Sequence, residues 1–254
     1  MSLTLIGYGF VGKAVYNSLK DSHDIFIVDP KYTTNKIQDK DADGYIICVP
    51  TPMRKDGRCE MSYVMEVMEH IPANKPILIK STICLEGWEA LVDAYPKHLV
   101  SFSPEFLVAA QADEDFANQK NMLIGGASSQ YWITEFSKRF PNMTFYTEDV
   151  KTLILTKYAR NCFLSTKVAF FNDLYDLAEA TGADWEALRQ MIGLDERIGL
   201  SHTMVPGPDG KRGFGGACFP KDTAAFLKTG EYYNTRLHVL EAVVEQNKGI
   251  RRDK

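Results

Sequence analysis

No C-x-x-C pair occurs in this chain, and its five cysteines (Cys48, Cys59, Cys84, Cys162 and Cys218) are odd in number. That argues against a disulfide framework and a zinc site, and predicts a reduced, cytoplasmic protein with no metal. No apolar run approaches the ~18–20 residues that a membrane helix needs. The first residues, Met1-Ser2-Leu3-Thr4-Leu5-Ile6, show neither the basic start nor the apolar stretch of a secretory leader. An excess of positive charge is also missing. Lys and Arg total 29 against 33 Asp and Glu, for a net charge of −4, and they are scattered. The chain thus offers no footing for nucleic acid or for a membrane surface. There are no internal repeats or low-complexity tracts. What is present is 254 residues, 45% of them hydrophobic, enough for one large or two modest domains with buried cores.

Short apolar runs alternate with amphipathic stretches through the first half. Strands are expected at Leu3–Ile6, Ile25–Val28, Tyr45–Val49, Ile77–Lys80, Leu99–Phe102, Met122–Ile124 and Met143–Tyr146. Helical patterns lie between several of them, at Val11–Leu19, Ser62–Ile71, Glu86–Tyr95 and Tyr131–Phe140. Strands interleaved with helices imply βαβ units. The fold class expected is therefore α/β, a doubly wound Rossmann-type parallel sheet over residues 1–148. After about Glu148 the texture turns helical, and residues 149–254 are read as a second, mostly helical domain. No Pro or Gly interrupts Val150–Ala180, where Leu164, Val168, Phe171 and Tyr175 form an apolar stripe at helical spacing. Thirty residues of helix would span ~45 Å. Gly182 should stop this helix and Asp184 should cap a short one reaching Ile192. A loop rich in Gly and Pro, Val205–Gly216, precedes helices expected over Asp222–Lys228 and from about Thr235 to Lys248.

Gly7-Tyr8-Gly9-Phe10-Val11-Gly12 follows the first strand and opens the first helix. Glycines there permit a tight turn and close approach of a pyrophosphate, which the helix N-terminus attracts. The second strand ends at Asp29, twenty residues after Gly9, where a carboxylate can bond ribose hydroxyls and repel a 2′-phosphate. The cofactor expected is NAD rather than NADP, with Lys31 nearby as a counter-indication. The bland alternative is an ordinary strand-to-helix turn with a surface Asp.

The most informative stretch is Gly213-Phe214-Gly215-Gly216-Ala217-Cys218-Phe219-Pro220-Lys221-Asp222. Its glycines let backbone come close to a ligand, and Pro220 suits the first turn of a helix. A thiol at a helix N-terminus beside a lysine should be more acidic than usual. The bland reading, a buried structural cysteine, is assigned to Cys48, Cys84 and Cys162, while Cys59, in a charged loop, is expected to be exposed. The Pro206–Arg212 loop reads as a contact for substrate phosphate or as a surface turn.

Together with that stretch, the Gly7–Gly12 turn, Ile47–Pro52, Ser81–Ile83, Ser103–Leu107, the Lys157-x-x-x-Asn161 pair and Asp195–Gly199 resemble the UDP-glucose/GDP-mannose dehydrogenases. The resemblance implies that Cys218 is a nucleophile. It places Lys157 and Asn161, one helical turn apart, at the developing oxyanion, with the lysine sharing in proton removal. It makes Asp222 and Thr82 residues that hold or activate water, and Glu105 a group for water activation or acid–base work. Pro50, Thr51 and Thr82 would join Gly7, Gly9, Phe10, Val11, Gly12 and Asp29 at the cofactor. Phe106, Leu107, Phe214 and Gly215 would join Glu105, Lys157 and Asn161 at the substrate. Arg197 would reach the neighbouring subunit's substrate site. Without the resemblance, Lys157 and Arg197 read as solvated surface charges.

The chemistry implied is a four-electron oxidation of a sugar C6 alcohol to the acid, through an aldehyde, a thiohemiacetal and a thioester on Cys218. UDP-glucose is the expected nucleotide-sugar substrate, with GDP-mannose or a UDP-N-acetylhexosamine as other donors. A homodimer through the long helix is implied too, and a helical domain like the C-terminal one of 6-phosphogluconate dehydrogenases. Three departures from the family pattern stand out. The family's third domain, which holds much of the sugar nucleotide, follows the helix that Leu237–Lys248 resembles. Ala109 stands where a glutamate is usual, and Asn121 where an arginine is common. Two other readings fit the sequence. One is a two-domain β-hydroxyacid or 6-phosphogluconate-type dehydrogenase, which does not need Cys218, and the other is an inert NAD-binding remnant.

Overall fold

The computed structural model describes residues 1–107 and 111–251, so Ala109 lies outside the described residues. The chain divides into two compact units, Met1–Arg54 with Cys59–Lys157, and Lys55–Arg58 with Tyr158–Lys254.

The first unit is built on a seven-stranded sheet. Its strands are β1 (Ser2–Ile6), β2 (Asp24–Val28), β3 (Gly44–Ile47), β4 (Pro76–Ile79), β5 (Leu99–Phe102), β6 (Asn121–Gly126) and β7 (Thr144–Thr147), in the order β2-β1-β3-β4-β5-β6-β7. The near-continuous apolar runs of β1, β3 and β4 are buried, as expected for strands covered on both faces. Strands β1 to β5 are parallel. The sheet is not wholly parallel, however: β6 runs antiparallel to β5 and takes β7 with it. Hydrophobic period reports which face a strand buries but not which way it runs, so the sequence carried no sign of this reversal.

Helices α1 (Phe10–Leu19), α2 (Ser62–His70), α3 (Leu85–Ala94), α4 (Ala112–Ala117) and α5 (Ser129–Arg139) accompany the sheet. Leu3, Leu5, Ile46 and Leu78 of the strands form one core with Ala14, Val15 and Leu19 of α1, Phe116 of α4, and Trp132 and Phe136 of α5. Helix α4 has no counterpart among the expected elements. Its first turn holds Asp113, Glu114 and Asp115, charges that suit a helix N-terminus. Beside this core His23 Nε2 pairs with Glu135 Oε2 at 2.8 Å, both side chains buried, and Lys138 joins at 2.5 Å.

Helix α6 (Val150–Thr181) has 32 residues, about 48 Å of helix, and the division between units falls within it. It ends at Gly182, whose φ of +71° suits a residue without Cβ. The Ala183 N–H then bonds Ala178 O at 3.0 Å. In the second unit the buried face of α6 carries Tyr158, Asn161, Cys162, Ser165, Ala169 and Asn172. Of the apolar stripe expected from sequence only Phe171 is buried, because the inward face is given partly to polar groups. The opposite face leaves Phe163, Phe170 and Leu177 exposed at 69%, 60% and 59%.

Asp184 caps α7 (Trp185–Gly193) by accepting the Ala187 N–H at 3.0 Å. Helices α8 (Phe219–Tyr232) and α9 (His238–Ile250) follow. The first is longer than expected at both ends, and its Phe226 stacks on Tyr158 with ring centroids 5.6 Å apart. Among the described residues no helix is long and apolar enough to cross a membrane.

Candidate active site

The carboxyl ends of the five parallel strands carry the first unit's candidate residues. Gly7 follows β1, Asp29 follows β2, Pro50 and Thr51 lie beyond β3, Thr82 beyond β4 and Glu105 beyond β5. In open α/β sheets ligands bind at that edge, where strand order reverses, here between β1 and β3. Gly7 has φ +92°, and a Cβ there would come within 2.6 Å of Cys48 backbone. A Cβ on Gly12 would strike Gly7 O, whereas one on Gly9 would meet nothing within 4 Å. The turn is thus packed closely on the strand side and open at Gly9, which fits a pyrophosphate approaching the start of α1.

Phe10 is exposed and Val11 half-buried. Asp29 fastens the turn itself: Oδ2 accepts the Tyr8 N–H at 2.6 Å and Oδ1 the Lys31 N–H at 2.8 Å. A carboxylate has lone pairs left for ribose hydroxyls after two such bonds, so the residues present fit NAD.

Thr51 is buried, Thr82 half-buried and Pro50 exposed. The Cys59 thiol donates to Thr82 O at 3.6 Å. Cys59 is therefore buried, not exposed as its charged loop suggested, because the Met53–Cys59 bridge turns it inward.

Glu105 and Lys157 meet directly. Lys157, expected on the surface from residue type alone, is buried, and Nζ donates to Glu105 O at 2.6 Å while lying 5.2 Å from the Phe106 ring centroid. Glu105 Oε1 accepts the Phe106 N–H at 2.8 Å, and Leu107 packs on the core. Sequence reasoning passed over Lys80. Its Nζ donates to Ser103 Oγ at 3.1 Å and lies 2.9 Å from Glu105 Oε2, with both side chains buried. The signal was a charged residue closing the otherwise apolar run Ile77–Lys80 at the ligand edge of the sheet.

In the second unit the buried carboxylate of Asp222 collects two partners. Asn161 Nδ2 donates to Oδ2 and Lys221 Nζ pairs with Oδ1, each at 2.5 Å. Cys218 sits four residues before Asp222, at the N-cap of α8, and is half-buried. The lysine nearest to it in sequence is thus engaged by Asp222. Burial, with the Asp222 charge adding to it, pushes the Cys162 thiol up to about 12. That sulfur is held protonated, as its structural reading requires.

The Gly-rich stretch is tied down from α6 and α9. Gly213, at φ +70°, donates its N–H to Asn172 Oδ1 at 3.1 Å, and Asn247 grips Phe214. Gly215 leaves room for the Arg251 guanidinium. Sequence reasoning also missed Asn172 and Asn247, since an asparagine that bonds a distant loop has no periodic signature. In the Pro206–Arg212 loop, Arg212 pairs with Asp176 at 2.7 Å. Arg197 pairs with Asp195 at 2.5 Å yet leaves 89% of its side chain exposed.

Residues 30–139 match the model of the UDP-glucose/GDP-mannose dehydrogenase family, NAD binding domain, and residues 152–249 match that family's central domain. The chain belongs to this family. NAD, the cofactor expected from the Gly7–Gly12 turn and Asp29, is the one for which the matching domain is described.

The UDP-glucose 6-dehydrogenase of Rickettsia conorii is 35% identical over 225 residues, 84% of this chain and 50% of that protein. The chain spans about half the length of the curated relatives it matches. Among solved structures, a UDP-glucose dehydrogenase from the hyperthermophilic archaeon Pyrobaculum islandicum superposes with a TM-score of 0.85 at 24% identity, covering 98% of this chain and 68% of that one. A 3-hydroxyisobutyrate dehydrogenase of Mycobacterium tuberculosis gives 0.75 at 16%, covering 96% and 91%. These two likenesses show the fold: a Rossmann-like α/β sheet followed by helices.

Proposed function

We propose that this family member is an NAD-dependent dehydrogenase that oxidises the C6 alcohol of a nucleotide sugar to the carboxylate, UDP-glucose to UDP-glucuronate, through a covalent adduct on Cys218. The observation that carries the reading is the buried Asn161–Asp222 pair, joined by the half-buried Lys221, one helical turn from a half-buried thiol. A buried carboxylate is costly unless paired, and this one is paired by the amide that shares a helix face with Lys157.

The roles follow from chemistry. The Gly7–Gly12 turn and Asp29 would hold NAD, with Pro50, Thr51 and Thr82 beside it, and two NAD⁺ molecules bound there in turn would each accept one hydride. Cys218 adds as thiolate to the aldehyde carbon, giving the hydroxyl-bearing carbon that a second oxidation needs. The Lys157 ammonium and the Asn161 amide stabilise the oxyanion. Asp222 and Thr82 orient water, and Glu105 takes its proton as the thioester is hydrolysed, which returns the thiol and releases the acid. Phe106, Leu107, Phe214 and Gly215 line the sugar's path.

In this reading residues 1–148 bind NAD and 149–254 carry the thiol. The exposed Phe163, Phe170 and Leu177, seven residues apart along α6, support a homodimer through that helix, with Arg197 reaching the partner's site. Five free cysteines support a reducing, cytoplasmic setting.

The second reading, a two-domain β-hydroxyacid dehydrogenase, differs in not needing Cys218. One assay separates the two: NADH formed per UDP-glucose consumed. Two per substrate, falling to arrest after one hydride in Cys218→Ser, supports the thioester route. Full turnover in Cys218→Ser removes it, and no NADH with any sugar nucleotide leaves an NAD-binding remnant.

A further inference from the structure

We infer that Lys80 is a positioning residue for Glu105, holding that carboxylate in the one orientation from which it can receive a proton from water. The inference rests on the role given to Glu105 above.

Every contact lies within the first unit. Lys80 stands just past β4, two residues before Thr82, and its side chain is wholly buried. Its Nζ lies 2.9 Å from Glu105 Oε2, donates to Ser103 Oγ at 3.1 Å and sits 5.6 Å from the ring centroid of Phe116 on α4. The two oxygens of Glu105 are thereby distinguished. Oε1 accepts the Phe106 N–H, while Oε2 is buried beside the ammonium and accepts no hydrogen bond among the described residues. The Lys80–Oε2 contact is thus an ion pair off the hydrogen-bond axis, which leaves an oxygen lone pair for another donor. Lys157 is fixed on the Glu105 carbonyl, so backbone and side chain are each held by a different lysine.

Stability alone does not account for this pair. Replacing a buried ion pair by packed apolar groups is often neutral or stabilising, and the neighbours on β4 are apolar and buried. A fixed carboxylate at the ligand edge of the sheet has a use that a hydrophobic residue there would not.

The test uses the full chain, NAD⁺ and UDP-glucose with five proteins: wild type, Lys80→Met, Lys80→Arg, Glu105→Gln and the Lys80→Met/Glu105→Gln double variant. Steady-state NADH release is read beside the intact mass of acid-quenched enzyme. Lys80→Met and Glu105→Gln should each slow turnover by ~100-fold, the scale of lost acid–base assistance, and accumulate the Cys218-bound sugar nucleotide. The double variant should be no slower than Glu105→Gln, and Lys80→Arg should recover most of the rate. If Lys80→Met does not fold, the comparison of the double variant with Glu105→Gln still decides.

A double variant slower than Glu105→Gln, or Lys80→Met at wild-type rate without adduct, overturns the proposal and leaves the reading of Glu105 standing. Wild-type hydrolysis in Glu105→Gln sinks that reading instead. Should the chain form no NADH, urea midpoints of wild type, Lys80→Met, Glu105→Gln and their double variant decide the pairing: losses that do not add in the double variant support it, and additive losses overturn it.

Discussion

Asn247 holds Phe214 by both of its backbone groups: Oδ1 accepts the Phe214 N–H at 2.8 Å and Nδ2 donates to Phe214 O at 3.0 Å. An amide side chain that pairs with a peptide in this way acts as a strand of one residue, and it fixes the loop just before the candidate nucleophile. Asn247→Ala would leave a part-buried donor and acceptor unmet. It should cost about 1–3 kcal/mol and open residues 212–216 to limited proteolysis. Unchanged resistance to both urea and protease would show that Asn172 suffices to hold the loop.

Asp29 bonds the Gly-rich turn through Oδ2 and its own loop, at the Lys31 N–H, through Oδ1, so its removal should be felt by the cofactor in two ways. Asp29→Ala should weaken NAD⁺ binding by ~10–100-fold, the size of one or two charge-assisted hydrogen bonds, and should narrow the preference over NADP⁺. Calorimetric titration with each nucleotide reads both effects. An unchanged ratio of the two dissociation constants would remove Asp29 from the choice of cofactor.

Phe170 is exposed in the middle of α6, with Phe163 and Leu177 one heptad to either side. A charge there should be tolerated by a lone chain and rejected by an apolar interface. Phe170→Asp should therefore convert a dimer to a monomer in light scattering at micromolar concentration, with little change in the monomer's own helicity. A wild-type protein that is already monomeric would discard the interface and the part assigned to Arg197.

Glu135 shows how stability should depend on pH. Burial alone would raise its carboxyl, but the Lys138 and His23 contacts outweigh this and hold it below the usual carboxylate range. A group with a lowered folded value stabilises above its unfolded value, and that stability is lost as pH falls through the lowered value. Glu135→Gln should thus cost about 1–3 kcal/mol at neutral pH, with the gap to wild type closing below about pH 4. Urea unfolding from pH 7 downward measures it, and a gap constant to low pH would contradict the assignment.

Much of the fold was legible because each signal was local. The apolar runs of β1, β3 and β4, the Gly7–Gly12 turn and the Gly182 stop each reside in a handful of consecutive residues. The same holds for Asp184, whose cap is three residues long. What escaped needed distant partners. The turn of β6 against β5 depends on a pairing between distant residues, Ser101 with Gly126 and Phe102 with Gly125. Cys59 was misplaced because its charged neighbours say nothing of the backbone bridge that buries it. In the site, Lys157 and Asn161 were found through spacing joined to resemblance. Lys80 was read only as the end of a strand, since its meaning lies in Glu105, twenty-five residues later.

The reversal of β6 decides what borders the carboxyl-end rim of the sheet. Because this strand runs backwards, its first residue, Asn121, comes to the same rim as the last residues of β1 to β5. The arginine of the family pattern would stand there as a fixed cation, and this chain presents a neutral amide instead. A phosphate-bearing visitor to that rim meets one fewer positive charge, so its attachment should weaken less steeply as salt is added than in a relative that keeps the arginine.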